Sequence, residues 1–321
     1  MRGIWLRQGF TWVGRPAVPA VPTTATAADS VRSGGTSALH TSSSIDVALR
    51  LTAIALLLRP MGPWFVRPAV LALAVLVLIF PRTLRSPLAW GGVTLFVAIR
   101  ILTDWPLSDN HIYLLCYWSF AIALALRTSR PSETLAFTSR SLVGLAFAFA
   151  VLWKAVLSPD FLDGRFFRVT LLTDPRFEAV SQLIGGLSRE ELDANRRALT
   201  PLPNGAELLN PPVVREPIRL RALASASTFG ILLLEAAVAL LMAAPTTRIT
   251  HIARHAALLS FCAITYAFAP VAGFGWLLLV MGLAQLQARH VWLRRAYVGV
   301  FLAVLFFDQV PWAELTLGLV S

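Results

Sequence analysis

From Ile45 onward the chain alternates between long apolar runs and short polar stretches, and most of the basic side chains fall in the stretches between runs. A helix or strand on the surface of a soluble domain needs polar residues on its solvent face, within the element itself. These runs lack that polar face, so their exposed sides must meet something other than water. With 56% hydrophobic residues, 14% charged residues and a mean hydropathy of +0.67, the chain has too little polar surface to coat a soluble globule of 321 residues. Soluble enzymes, secreted modules and nucleic-acid binders are thereby excluded, and no nucleic-acid partner is expected. In lipid each backbone polar group must be satisfied within its own segment. The expected fold is therefore all-α: a polytopic integral membrane helical bundle whose first partner is the lipid bilayer.

Nine apolar segments can be delimited: Ile45–Leu58, Trp64–Phe80, Leu88–Leu102, Asn110–Leu126, Ser141–Leu157, Ala222–Ala243, His251–Ala269, Gly273–Gln287 and Arg295–Val310. Spans normally take ~17–25 residues, and the first and third runs are short, so eight or nine transmembrane helices are expected. Residues 1–44 are rich in Pro, Thr, Ser, Ala and Gly, without an apolar core long enough for a signal peptide, and are expected to be a disordered basic tail. Residues 45–157 would hold the first five helices, 158–221 an extramembrane loop, and 222–321 the last four helices with a short C-terminal tail.

The net charge of +11 comes from 28 basic residues, of which Lys154 alone is lysine. Counted on alternate linkers, Arg82, Arg85, Arg127, Arg130, Arg140, Arg248, Arg254, Arg289, Arg294 and Arg295 fall on one side, against Arg59 and Arg67 in the opposite short linkers. Short cytoplasmic loops collect basic residues. A cell-membrane protein with a cytoplasmic N-terminus and an extracytoplasmic 158–221 loop is expected. That loop holds nine Arg and nine acidic residues, so it is no basic lipid-binding patch. Asp174 with Pro175, and Ser188 with Glu191, mark the starts of two short amphipathic helices within it. Cys116 and Cys262 lie inside apolar runs and imply neither a disulfide nor a thiol metal motif.

Ionisable groups within spans are candidates for function. Lys154 could reach the interface or a carboxylate such as Asp160. Alternatively, as a partly desolvated amine, it could use its neutral form to abstract a proton from a bound substrate. Arg100, Asp104, Asp109, Asn110 and His111 gather at the same level, where Arg100 either pairs with Asp104 one turn away or binds substrate. His111 could equally bond loop backbone. Glu235, near the middle of the sixth segment, is expected to face inward as a proton relay or as a carboxyl bonded to a neighbouring helix, too deep to pair easily with Lys154. His251 and His255, at i and i+4, could join His290 around a metal or haem, or could sit at the interface; no carboxylate or cysteine completes a set, and no metal is expected. Gly273, Gly275 and Gly282 suit helix packing.

Asp109-Asn110-His111-Ile112-Tyr113-Leu114 resembles the N-H-x-Y-L signature that opens a transmembrane helix in the HTTM domain of vitamin K-dependent gamma-carboxylases. Trp153-Lys154 followed by Ser158-Pro159-Asp160-Phe161-Leu162-Asp163-Gly164 resembles that family's segment of a lysine and a D-W-x-E-G motif. The two together cover about Asp104 to Phe177. The resemblance implies a membrane enzyme acting on a lipid-soluble or small substrate at the outer face. Lys154 would be its base, with His111 beside it, and Asn110, Tyr113, Arg100 and Asp160 would contact substrate; reduced quinone or vitamin K is the implied cofactor. Lys154 lies ten residues before Gly164, further away than the carboxylase lysines. Only Asp308 to Ser321 follow the last segment, so a protein-substrate domain, and with it carboxylation of protein glutamate, is not expected. A different class of function is a non-enzymatic bundle, either a transporter coupled through Glu235 or an accessory subunit. The residues alone set no oligomeric state.

Overall fold

The structure is a computed structural model and describes residues 43–59, 62–106, 108–200, 213–268, 272–287 and 289–309. The expected N-terminal tail lies outside the described residues, apart from its last two positions, and so does the expected C-terminal tail from residue 310. No strand occurs among the described residues, and the fold is all-α. Its helices are α1 (Ser44–Leu58), α2 (Arg67–Ile79), α3 (Pro81–Leu84), α4 (Pro87–Thr103), α5 (Asn110–Ala125), α6 (Pro131–Leu152), α7 (Pro159–Leu162), α8 (Arg165–Thr173), α9 (Glu178–Leu183), α10 (Arg189–Leu199), α11 (Ile218–Ala243), α12 (Arg248–Phe268), α13 (Ala272–Ala284) and α14 (Val291–Gln309). A π-helical turn, Trp153–Leu157, extends α6.

Each of the nine apolar segments overlaps one of these helices. Two helices, Pro131–Leu157 and Ile218–Ala243, are long and apolar enough to cross a membrane. α2, α4, α5 and α13 are apolar but shorter, and α12 and α14 have the length without the apolarity. The two long helices bury only 22% of their apolar windows. Phe137, Leu145 and Phe149 of the first, and Phe229, Leu233 and Leu240 of the second, stand exposed.

α6 begins at Pro131 rather than Ser141, because Leu135, Ser139, Val143 and Phe147 recur at four-residue spacing and form its buried stripe. The centre of the bundle is α13, whose residues from Gly275 to Ala284 are all buried. A helix apolar on every side belongs in the middle of a core, and α1, α5, α6, α12 and α14 surround it. Some of the buried polar groups pair with one another: Trp118 Nε1 donates to Thr52 Oγ1 (3.1 Å), which donates to Ala48 O (2.8 Å). Trp90 Nε1 donates to Leu84 O (2.9 Å).

Between α6 and α11 the chain builds a second, smaller core from Leu171, Leu172, Phe177, Leu187 and Leu192 together with Leu220 and Ala224 of α11. The two helices expected here are α9, preceded by a 3-10 turn at Pro175–Phe177, and α10. Asp174 caps the turn and Ser188 with Glu191 forms the capping box. The Arg176 side chain bonded to Asp174 holds that carboxyl below the usual carboxylate range. α7 and α8 are additional to the sequence expectation. The first turns of α11 thus belong to this second core.

Gly282 of α13 faces Tyr297 of α14 so closely that a Cβ would overlap the phenol ring. Gly282→Ala must displace Tyr297 and should destabilise the detergent-solubilised protein by about 1–3 kcal/mol, the range of overpacking substitutions. An unchanged melting temperature would refute this close approach.

Candidate functional site

A cavity of about 500 Å³ opens where the C-terminal ends of α1 and α4 meet the N-terminal ends of α2, α5 and α13. Short connections and antiparallel neighbours bring these five ends to one level of the bundle. Its mouth is polar, with Arg59, Arg67, Arg100, Asp109 and His111. Its floor is apolar, with Leu56, Ile112, Leu115, Trp276, Leu277 and Val280. Arg100 forms an i, i+4 ion pair with Asp104, as one sequence alternative had it, and still faces the cavity. His111 Nε2 stands 4.0 Å from the Asp109 carboxylate. Two buried N–H donors on the lining, Arg100 Nε and Trp276 Nε1, have no hydrogen-bond partner.

Lys154 is elsewhere. Its ammonium makes an ion pair with Glu235 Oε1 and lies 5.3 Å from the centroid of the Phe161 ring. The two side chains are 23% and 7% exposed, so the pair is largely withdrawn from solvent. This corrects the expectation that Glu235 lies too deep for Lys154, and the cause is the register of two antiparallel helices. Gly144 of α6 faces Met242 of α11, so at equal rise per residue the end of α6 at Leu157 stands opposite about Phe229. Depth on α11 therefore starts near Phe229 and not at Arg221. Glu235 then lies only about 9 Å below that level, and Lys154, itself three residues before Leu157, stands within one helical turn of it, well within reach of a lysine side chain.

The other end of the same helix pair is also fixed by charge. Arg140 of α6 donates through Nε to Met242 O (2.6 Å), through Nη1 to Thr246 Oγ1 (2.8 Å) and through Nη2 to Ala244 O. Arg254 of α12, 3% exposed, donates through Nε to Leu241 O (3.1 Å). Guanidinium groups here satisfy the last carbonyls of α11, which no helical N–H can reach.

The remaining sequence candidates are dispersed. His111 and Arg100 share the cavity; Lys154 is not on its lining, so the expected meeting of amine and imidazole is not formed. Asn110 is exposed and Tyr113 half-buried, and neither lines the cavity. Asp160 pairs with Arg165 (2.8 Å) instead of Lys154. Its place in the first turn of α7 puts Arg165, just beyond that helix, nearest to it. His251 stacks on His290, with ring centroids 4.8 Å apart, and His255 shares a hydrogen bond with Tyr297 Oη (2.8 Å). Among the described residues no group of three His, Cys, Asp or Glu side chains is arranged to hold a metal ion.

Arg59, Arg67, Gly273 and Trp276 were not singled out as site residues from sequence. A signal was present: Arg59 and Arg67 stand on the linkers that are otherwise poor in arginine, where charge bias does not account for them. No family model, curated protein or solved structure matches the chain.

Removing one member of a buried ion pair strands the other. Lys154→Met or Glu235→Leu alone should each cost about 3 kcal/mol. The double substitution should cost less than the sum, with a coupling of about 1–3 kcal/mol in a thermal or denaturant cycle. Additive losses would show that the two side chains do not interact.

Proposed function

We propose that the chain is a multi-pass membrane protein of HTTM-like architecture, with eight or nine spans, that receives a small lipid-soluble molecule in the cavity between α1, α2, α4, α5 and α13. The carrying observation is the cavity itself, a charged mouth over an apolar floor at the converging ends of five helices. Pockets of this size and character are the usual form of small-molecule sites. The membrane reading is supported by the outward apolar faces of the two long helices, since apolar patches of that extent mark lipid or protein contact. The short helices fit a bundle in which α13 is buried by its neighbours and need not match the bilayer thickness on its own. The arginine bias of alternate linkers supports a cytoplasmic N-terminus and an extracytoplasmic α7–α10 region in the cell membrane.

An enzymatic role with Lys154 as base rests on the family resemblance. In the structure the amine is engaged as the ammonium of an ion pair, so it could act as a base only after separating from Glu235. That same pair favours a second reading, transport coupled to proton exchange. Glu235 is buried and its second oxygen, Oε2, has no partner, and paired ionisable groups within spans commonly mark proton or ion pathways.

Labelling with a photoactivatable alkyl diazirine tests the cavity. Adducts should concentrate in residues 109–115 and 273–280 and decline in Gly273→Phe, which fills the mouth; adducts confined to the outward faces of α6 and α11 would contradict the assignment. Sidedness is tested separately with Cys116 and Cys262 replaced by alanine. Ser129→Cys and Glu190→Cys, both at exposed positions, should react with impermeant maleimide from opposite faces of sealed vesicles. Reaction from one face would refute the topology.

A further inference from the structure

The spare side-chain hydrogen-bonding capacity buried around the cavity lies on the donor side. Arg67 is exposed at the mouth and has no ion-pair partner among the described residues. Arg100 gives one edge to Asp104 and keeps a buried, unbonded Nε. At the floor Trp276 is 1% exposed, and its Nε1 likewise has no acceptor. The one hydroxyl on the lining, Thr52 Oγ1, is already committed to Ala48 O and Trp118 Nε1. Asp109 stands at the rim with its side chain 74% exposed.

Backbone charge adds to this. Arg67, His111 and Gly273 fall within the first two residues of α2, α5 and α13, so three helix N-termini, each the positive end of a helix dipole, open toward one hollow beside the C-terminal ends of α1 and α4. A Cβ at Gly273 would lie in ordinary contact with Arg59 Cδ (3.4 Å) and His111 Cδ2 (3.8 Å), so a larger side chain there would enter the mouth. A buried donor left without an acceptor is costly, and a ligand rich in acceptors removes that cost. A planar guanidinium pairs best with phosphate or carboxylate oxygens. Beneath the mouth, Leu56, Leu115 and Leu277 offer nothing to a polar group and suit a hydrocarbon chain.

We infer that the cavity binds an anionic amphiphile, with an oxyanion head, phosphate or carboxylate, held by Arg67, Arg100 and the three helix N-termini, and an apolar chain on the floor. This rests on the cavity being a small-molecule site and specifies the class of molecule it takes.

Binding of radiolabelled decyl phosphate, decanol and inorganic phosphate to the full chain in nanodiscs of zwitterionic lipid, corrected against empty nanodiscs, tests it. Decyl phosphate should bind at least about tenfold more tightly than decanol, in line with a charge-assisted contact. Arg67→Gln should weaken decyl phosphate about tenfold and leave decanol unchanged, with Arg67→Lys recovering part of the loss. Arg67 has no ion-pair partner among the described residues, so its variants should keep the parent melting temperature, and Gly273→Phe should weaken both amphiphiles. Equal binding of alcohol and phosphate, or an Arg67→Gln variant that binds decyl phosphate normally, would overturn the headgroup assignment and leave the cavity a small-molecule site. Inorganic phosphate binding as tightly as decyl phosphate would assign the site to a free oxyanion and overturn the amphiphile. Absence of binding by either amphiphile would remove both the inference and the cavity reading beneath it.

Discussion

The pairing of α6 with α11 is the constraint on which the rest of the bundle is hung, and it is held by charge at both ends. At one end Lys154 meets Glu235; at the other, Arg140 and Arg254 occupy the last carbonyls of α11. Both contacts are expensive to leave half-made away from water. A slip of one turn between the helices would strand an ammonium, a carboxylate and several carbonyls together. Apolar packing tolerates many registers of similar energy, whereas these polar contacts are satisfied in one. The pair thereby fixes where the first turns of α11 stand, and so where the α7–α10 core can sit.

The cavity has a related origin. α13 is short, apolar on all sides and buried from Gly275 onward. At its N-terminal end Gly273 and Trp276 line a space that α1, α2, α4 and α5 rim without filling. Its polar mouth is made of residues at helix ends, where charged side chains gather because the helix interiors are apolar.

The periodic apolar runs made the helices legible: each of the nine segments overlaps one, and the caps at Asp174 and Ser188 were readable because they use local side-chain bonds. Local signals gave less about ends. Ser141 looked like a start because the preceding turns carry Ser, Thr, Glu and Arg, yet those turns are helical, since one stripe of them is buried. The site was partly legible: Arg100 and His111 were recognised as neighbours, while Arg59, Arg67 and Trp276 come together only through the packing of α1, α2 and α13. The depth of Glu235 was misjudged because depth was counted along one helix, whereas it is set by the helix it faces. Arg140 and Arg254 were counted as markers of membrane side. In the structure they cap α11, so part of the charge bias has a purely structural cause.

The two charged systems differ in what they leave over, and the difference decides where a ligand's charge can go. Lys154 and Glu235 neutralise each other, and an added anion or cation would have to displace a partner already in place. At the cavity mouth Asp104 engages Arg100 and Asp109 is largely solvated, while Arg67 and the helix N-termini keep unspent positive charge. A negative group entering the bundle is therefore drawn to the mouth and not to the lysine. Any chemistry at Lys154 would need a substrate that breaks the ion pair, whereas binding at the mouth needs no rearrangement of the helices. On these grounds the arginine-lined hollow is the better candidate site for a small molecule, and the Lys154–Glu235 pair is first an element of the bundle's architecture.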